Sequence, residues 1–211
     1  MKKKKLVCFD LDDTLIKDID SVMIPCILNG KEKEQSIIKA REKSGEIDYV
    51  TADYLSVKLF KGLAEYKIKD SFFDAAKPLD NIGHAIDALH AAGFLCIVIT
   101  VGPKQVAKAV CEIWGLDGYY GSDYETADGI FTGNIITYFS PEDKVKCLAD
   151  FCEKHGITAD DCIAVGDGLT DIPVFEYCGK SIAINAPQNV RSKATDFIET
   201  RDLRDILRFI I

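Results

Sequence analysis

Four aspartates, a threonine and a lysine occupy places in this 211-residue chain from which side chains could act together. Asp10 and Asp12 follow the apolar run Leu6-Val7-Cys8-Phe9, and Thr100 follows Leu95-Cys96-Ile97-Val98-Ile99. Asp167 and Asp171 follow Cys162-Ile163-Ala164-Val165-Gly166, and Lys144 lies just inside a helical pattern that opens at Ser140. Such a set meets the needs of phosphoryl transfer. It offers a carboxylate nucleophile, a second carboxyl to move a proton, oxygen ligands for a hard cation, and a hydroxyl with an ammonium for phosphoryl oxygens. Each signal has a bland counterpart. An Asp-x-Asp-x-Thr can be a strand-end turn, a lone threonine or lysine a cap or a solvated chain, and Gly166-Asp167-Gly168-Leu169-Thr170-Asp171 a turn before a helix. Four signals in this order, each in fitting local context, favour the chemical reading.

The elements that must hold these residues alternate between strand and helix. The apolar runs, with Ser181-Ile182-Ala183-Ile184 as a further one, are near-continuous, as expected of parallel strands covered on both faces. Helical periodicity covers Asp80–Ala92 up to Gly93, Pro103–Trp114 up to Gly115 with Pro103 in its first turn, and a helix from Ser140-Pro141 to Gly156. This alternation predicts a doubly wound α/β fold with a parallel sheet, whose ligands bind beyond the carboxyl ends of the strands. Residues 15–79 break the rhythm. They hold helix-like stretches around Glu32–Lys43 and Thr51–Tyr66 and no parallel-strand signal, which predicts a small helical cap inserted after the first strand. The expected division is a core of residues 1–14 and 80–211 with a cap over 15–79. Asp128-Gly129 predicts a tight hairpin turn.

Phe9-Asp10-Leu11-Asp12-Asp13-Thr14-Leu15 resembles the first motif of the haloacid dehalogenase superfamily phosphatases, Thr100 the second, Lys144 the third and Gly166–Asp171 the fourth. The turn Asp128–Gly133 and the tail Thr200–Leu207 are similar to the phosphoserine-phosphatase-like branch, so the resemblance spans nearly the whole chain and is weakest in the cap. It implies that Asp10 attacks phosphorus to form an aspartyl-phosphate and that Asp12 first protonates the leaving alcohol, then deprotonates water. Thr100 and Lys144 would hold phosphoryl oxygens. Mg2+ would be bound by the Asp10 carboxylate, the Asp12 carbonyl and Asp167, with Asp171 orienting Lys144 or a metal-bound water.

The cap departs from that branch. Its glutamate for the substrate amine falls near Ile19, flanked by Asp18 and Asp20, and its arginine for the carboxylate falls where this chain reads Tyr54-Leu55-Ser56. Arg41 is the only arginine before Arg191, Thr100-Val101-Gly102 replaces a hydroxyl with two glycines, and Thr170 replaces an asparagine. Asp18, Asp20, Tyr54 and Ser56 are therefore candidates to meet a polar, hydroxylated or cationic leaving group. Against this, Asp18 and Asp20 can be solvated cap residues, and Tyr54 and Phe60, at helical spacing, can be core. Asp13 either faces the cap or caps the following turn.

Composition sets the remaining bounds. A formal net charge of -8 disfavours nucleic-acid or anionic-membrane binding, since both reward a basic surface. No apolar run approaches a membrane span, and Asp10–Asp13 interrupt the stretch after Lys2–Lys5, so that basic run reads as a solvated lead-in rather than a signal peptide. The eight cysteines include no Cys-x-x-Cys pair and three fall in strand runs, which fits reduced thiols in a cytoplasmic protein. Three scattered histidines disfavour zinc. The expected function is Mg2+-dependent hydrolysis of a small phosphorylated metabolite. The alternatives are a phosphoserine phosphatase proper, a phosphotransferase on the same fold, and, in other classes, a receiver-type phosphoacceptor or a silent binding domain. A receiver places its aspartate on a later strand and lacks the insertion.

Overall fold

The computed structural model describes residues 4–211, so Lys2 and Lys3 of the basic lead-in lie outside the described residues. Seven strands form one sheet among the described residues: β1 Lys5–Phe9, β2 Phe94–Pro103, β3 Gly118–Ala127, β4 Ile130–Thr137, β5 Cys162–Gly166, β6 Lys180–Ile184 and β7 Asp196–Ile198. Their order is β4-β3-β2-β1-β5-β6-β7, all parallel except the antiparallel β3–β4 pair at one edge. The helices are α1 Met23–Leu28, α2 Glu32–Lys43, α3 Tyr49–Ser56, α4 Tyr66–Asp70, α5 Phe72–Ala75, α6 Ile82–Ala91, α7 Lys104–Trp114, α8 Pro141–His155, α9 Ile172–Tyr177 and α10 Gln188–Arg191.

The uninterrupted apolar runs arise because both sheet faces are covered. Val7, Phe9, Cys96, Val98, Ile163 and Val165 belong to a core that includes Ile86 of α6 and Val106 of α7. The alternate residues Leu6, Cys8, Ile97, Ile99, Cys162 and Ala164 pack with Leu148 of α8 and Val174 of α9 on the other face. Leu6 is level with both Leu95 and Cys162 in the parallel ladders, so Asp10 just past β1, Thr100 in the last part of β2 and Asp167 just past β5 come to one edge.

Local signals set most boundaries. Ser140 and Asp143 form a reciprocal capping box ahead of Pro141, and Gly156 closes α8 at φ 67°. Asp128 and Gly129, at φ 51° and 74°, make the two-residue turn between Thr126↔Phe131-paired strands. Two expectations need correction. Pro103 does not sit in the first turn of α7: it ends β2 with extended backbone and precedes the helix. The stretch Thr51–Tyr66 is not one helix, since α3 passes into a tighter 3-10 turn at Val57–Phe60 and Gly62 turns the chain at φ 87°.

Residues 15–79 hold α1 to α5 and no strand pairing beyond isolated bridges of Ile16 with Asp12 and Pro78 and of Ala64 with Ile130. Ile24, Val57, Phe60, Ile68 and Phe72 from this segment share the core of Phe9 and Val98. All eight cysteines are free, six of them buried. Among the described residues no helix is long and apolar enough to cross a membrane.

Candidate active site

The site is built from the carboxyl ends of β1, β2 and β5 and the first turns of α8. The Asp10 amide donates to the Val165 carbonyl at 2.8 Å, which continues the ladder one residue past β1 and aims the carboxylate into the sheet edge. The capping box starts α8 so that Lys144, only 1% exposed, reaches back under that edge. Its Nζ donates to Asp10 Oδ1 and to Asp171 Oδ1, each at 2.6 Å. The other Asp171 oxygen accepts from the Asp167 and Gly168 amides, both at 3.0 Å. Gly166 makes room for this arrangement, because a Cβ there would collide with the Asp171 carboxyl.

Burial sets the electrostatics. Desolvation alone would lower the Lys144 ammonium, but the Asp10 and Asp171 carboxylates outweigh it and hold the lysine protonated. Burial and then the charge of Asp171 push the Asp10 carboxyl up, against the pull of Lys144. Charged groups this deeply placed are sustained by mutual pairing.

Asp12 stands at the mouth, on a turn that places Asp13 at φ 52°. Its carboxylate accepts from the backbone amide and, at 2.8 Å, the hydroxyl of Ser21. The Thr100 hydroxyl is 3.5 Å from Asp12 Oδ2 and accepts from the Gly102 amide at 2.9 Å. A side chain at Gly102 would collide with the Ser21 hydroxyl. Burial and the charge of Asp20 push Asp12 up to about 7, against the Ser21 hydrogen bonds. Asp167 accepts weakly from Thr14 at 3.4 Å and is likewise pushed up to about 7, by burial and then by Asp171. Carboxylate oxygens of Asp10, Asp167 and Asp171 lie within 4.8 Å of one another, an all-oxygen donor set suited to a hard divalent cation.

All six inner candidates thus converge: Asp10, Asp12, Thr100, Lys144, Asp167 and Asp171. The outer four do not converge in the same way. Asp18, at φ 64°, is exposed beside Arg201 at 3.5 Å. Asp20 accepts from the Met23 amide at 2.8 Å and pairs with Lys39 at 2.7 Å. Tyr54 is 47% exposed and stacks on Tyr138 with ring centroids 5.9 Å apart, so it is not core, whereas Phe60 is. Ser56 is buried, and its hydroxyl proton is committed to the Ala52 carbonyl one helical turn back. Asp13 lies 3.5 Å from Lys17 in an exposed ion pair and serves the turn. Sequence reasoning missed Ser21, which has no periodic or motif signal, and the spatial need behind Gly102 and Gly166. Thr14 was visible in its motif but carried no assignment.

A family model described as haloacid dehalogenase-like hydrolase matches residues 7–176. The phosphoserine phosphatase of Methanocaldococcus jannaschii is 31% identical over 212 residues, spanning 99% of each chain. That of Halobacterium salinarum is 29% identical over 201 residues, spanning 93% of each. Among solved structures, a phospho-aspartyl intermediate analogue of phosphoserine phosphatase has a TM-score of 0.81 at 29% identity, and a substrate-bound phosphoserine phosphatase complex one of 0.82 at 29%. Each covers 100% of both chains.

Proposed function

The chain belongs to the haloacid dehalogenase-like hydrolases, and on that premise we propose how its residues divide the work of hydrolysing a small phosphorylated metabolite. It is a phosphomonoester hydrolase that acts through an aspartyl-phosphate. An Asp10 oxygen attacks phosphorus while the bond to the leaving alcohol breaks, and Asp12 delivers its proton to that alcohol oxygen. Asp12 then takes a proton from water, whose oxygen attacks phosphorus and frees the Asp10 carboxylate with release of phosphate. A carboxyl raised to about 7 is partly protonated at neutral pH and can serve both steps.

Thr100 and Lys144 hold phosphoryl oxygens, and Asp171 fixes the Lys144 ammonium beside the nucleophile. Mg2+ would be held by the carboxylates of Asp10 and Asp167, which lie in one cluster, and by the Asp12 carbonyl, and when bound it would supply positive charge against the phosphoryl group. Residues 15–79 act as a helical cap over a core of 1–14 and 80–211. The free, largely buried thiols suit a reducing compartment such as the cytoplasm.

The observation that carries these assignments is the lysine clamped 2.6 Å from both Asp10 and Asp171, with Asp167 oxygens alongside. The test is phosphate release from an aryl phosphate with Mg2+, with and without acceptor alcohols. Asp10→Asn should cost on the order of 10⁴-fold in kcat. Turnover within about tenfold of wild type would remove Asp10 as nucleophile. Product captured by the acceptors in place of free phosphate would mark a transferase. Phosphoserine itself is a second reading for the substrate, favoured by the names of the relatives.

A further inference from the structure

We infer that Gln35, Lys39, Asp53 and Tyr124 line the leaving-group pocket of this site, and that the pocket takes the phosphomonoester of a small amino alcohol in preference to one carrying a carboxylate. The inference rests on the phosphatase reading above and adds the substrate class.

The pocket is traced outward from Asp12. Ser21 donates to Asp12, and its neighbour Asp20 pairs with Lys39 of α2 at 2.7 Å. The Lys39 ammonium is near enough to act electrostatically on the Asp12 carboxyl. Gln35 lies one turn before Lys39 on the same helical face. It is fully buried, yet neither its Oε1 nor its Nε2 makes a hydrogen bond. On α3, Asp53 accepts from the Tyr138 hydroxyl at 2.7 Å and feels the charges of Lys39 and Asp20. Tyr124 rises from β3, with its ring stacked on Phe60 at 5.4 Å between centroids. Its hydroxyl is buried and unbonded, and it interacts electrostatically with Asp53, Tyr138, Asp12 and Asp20.

Buried amides and phenols are almost always hydrogen-bonded, so an unbonded Gln35 one helical turn from Lys39 and an unbonded Tyr124 in the field of Asp12, Asp20 and Asp53 point to a polar ligand. Their chemistry limits what that ligand is. Three carboxylates, Asp20, Glu42 and Asp53, face a single ammonium, Lys39, which already pairs with Asp20 at 2.7 Å and Glu42 at 3.4 Å. Arg41, the nearest arginine in sequence, pairs outward with Glu46 at 2.8 Å. Asp53 is met by a phenol alone among the hydrogen-bond partners of its carboxylate. A ligand ammonium would therefore find Asp53 and the Gln35 carbonyl, with the Tyr124 oxygen as a further acceptor. A ligand carboxylate would enter a field of excess negative charge and would have to take Lys39 from two existing partners.

The test compares kcat/KM for O-phosphoethanolamine, O-phosphoserine, glycerol phosphate and an aryl phosphate, all with Mg2+. Phosphoethanolamine should exceed phosphoserine and glycerol phosphate by at least about tenfold. Asp53→Asn should lower the ratio of phosphoethanolamine to aryl phosphate turnover at least about tenfold, chiefly through KM. Tyr124→Phe removes one oxygen and preserves the stacked ring. It should lower the same ratio by about threefold or more, and so keeps the test decisive if the Asp53 variant fails to fold. Aryl phosphate turnover with phosphoserine or glycerol phosphate matching phosphoethanolamine, or with ratios unmoved in every variant that folds, overturns the pocket and leaves the phosphatase reading standing. Absence of any turnover, aryl phosphate included, overturns both.

Discussion

Replacing Lys144 by methionine keeps the length of the side chain and removes the charge that two buried carboxylates share. Asp10 is 8% exposed and Asp171 3%, and both contacts to the ammonium are 2.6 Å. Removing one partner of a buried ion pair costs about 3–5 kcal/mol, because the charge left behind is neither solvated nor paired. For a chain of this size about 2–4 °C accompanies each kcal/mol, so the variant should melt roughly 6–20 °C lower at pH 8 in chelator, where no cation can replace the ammonium. The deficit must depend on pH. With the lysine gone, Asp10, already pushed up by burial and Asp171, takes up a proton more readily in the folded state than in the unfolded one. The variant therefore gains relative stability as pH falls, and its deficit should shrink toward pH 5. Adding Asp171→Asn removes one of the stranded charges, so the double variant should be more stable than the summed single losses by at least about 1 kcal/mol. Thermal or urea unfolding of the four proteins at both pH values measures all of this. A deficit under about 1 kcal/mol at pH 8, additive losses, or a pH-independent deficit would refute the buried three-charge arrangement.

Asp12→Asn should be severe on alkyl phosphates and milder on aryl phosphates in the first step, since a good leaving group needs less protonation; equal losses would argue against proton donation. Chelation should abolish turnover, and Asp167→Ala should raise the Mg2+ concentration needed for half-maximal rate; activity surviving exhaustive chelation removes the cation from the reaction. Burial pushes Asp53 from an ordinary value of 3.8 up to about 6, so its contribution to stability is full below the lower value and lost as pH rises through the upper one. Asp53→Asn, uncharged throughout, should therefore match wild type at about pH 3 and be more stable by about 1–3 kcal/mol near pH 8, discounted for its partial exposure. Melting curves at the two pH values with no widening gap would show that the carboxylate is well solvated.

The sequence by itself determined the parts of this protein that depend on local rules. Near-continuous apolar runs marked β1, β2, β5 and β6 because both faces of each strand are covered. Ser140-Pro141 and the glycines at 93, 115 and 156 marked helix ends, and Asp128-Gly129 marked the hairpin, because these residues meet backbone requirements within a few positions. The convergence of the inner candidates was legible for related reasons: polar residues after the apolar runs of parallel strands are brought to one edge, and Lys144 was visible at the start of a capped helix. Only the tertiary structure decided what lies around them. Ser56 carries the same hydroxyl whether it faces a ligand or its own helix, and the packing of α3 turns it to Ala52. Ser21 reaches Asp12 because the intervening turn folds back, and Gln35 and Tyr124 are buried without hydrogen-bond partners, which no local signal in the sequence announces. Periodicity reports which face of an element is apolar. It carries no information on which distant element covers that face, and it is that covering element that determines whether a polar side chain is solvated, paired or left to meet a substrate.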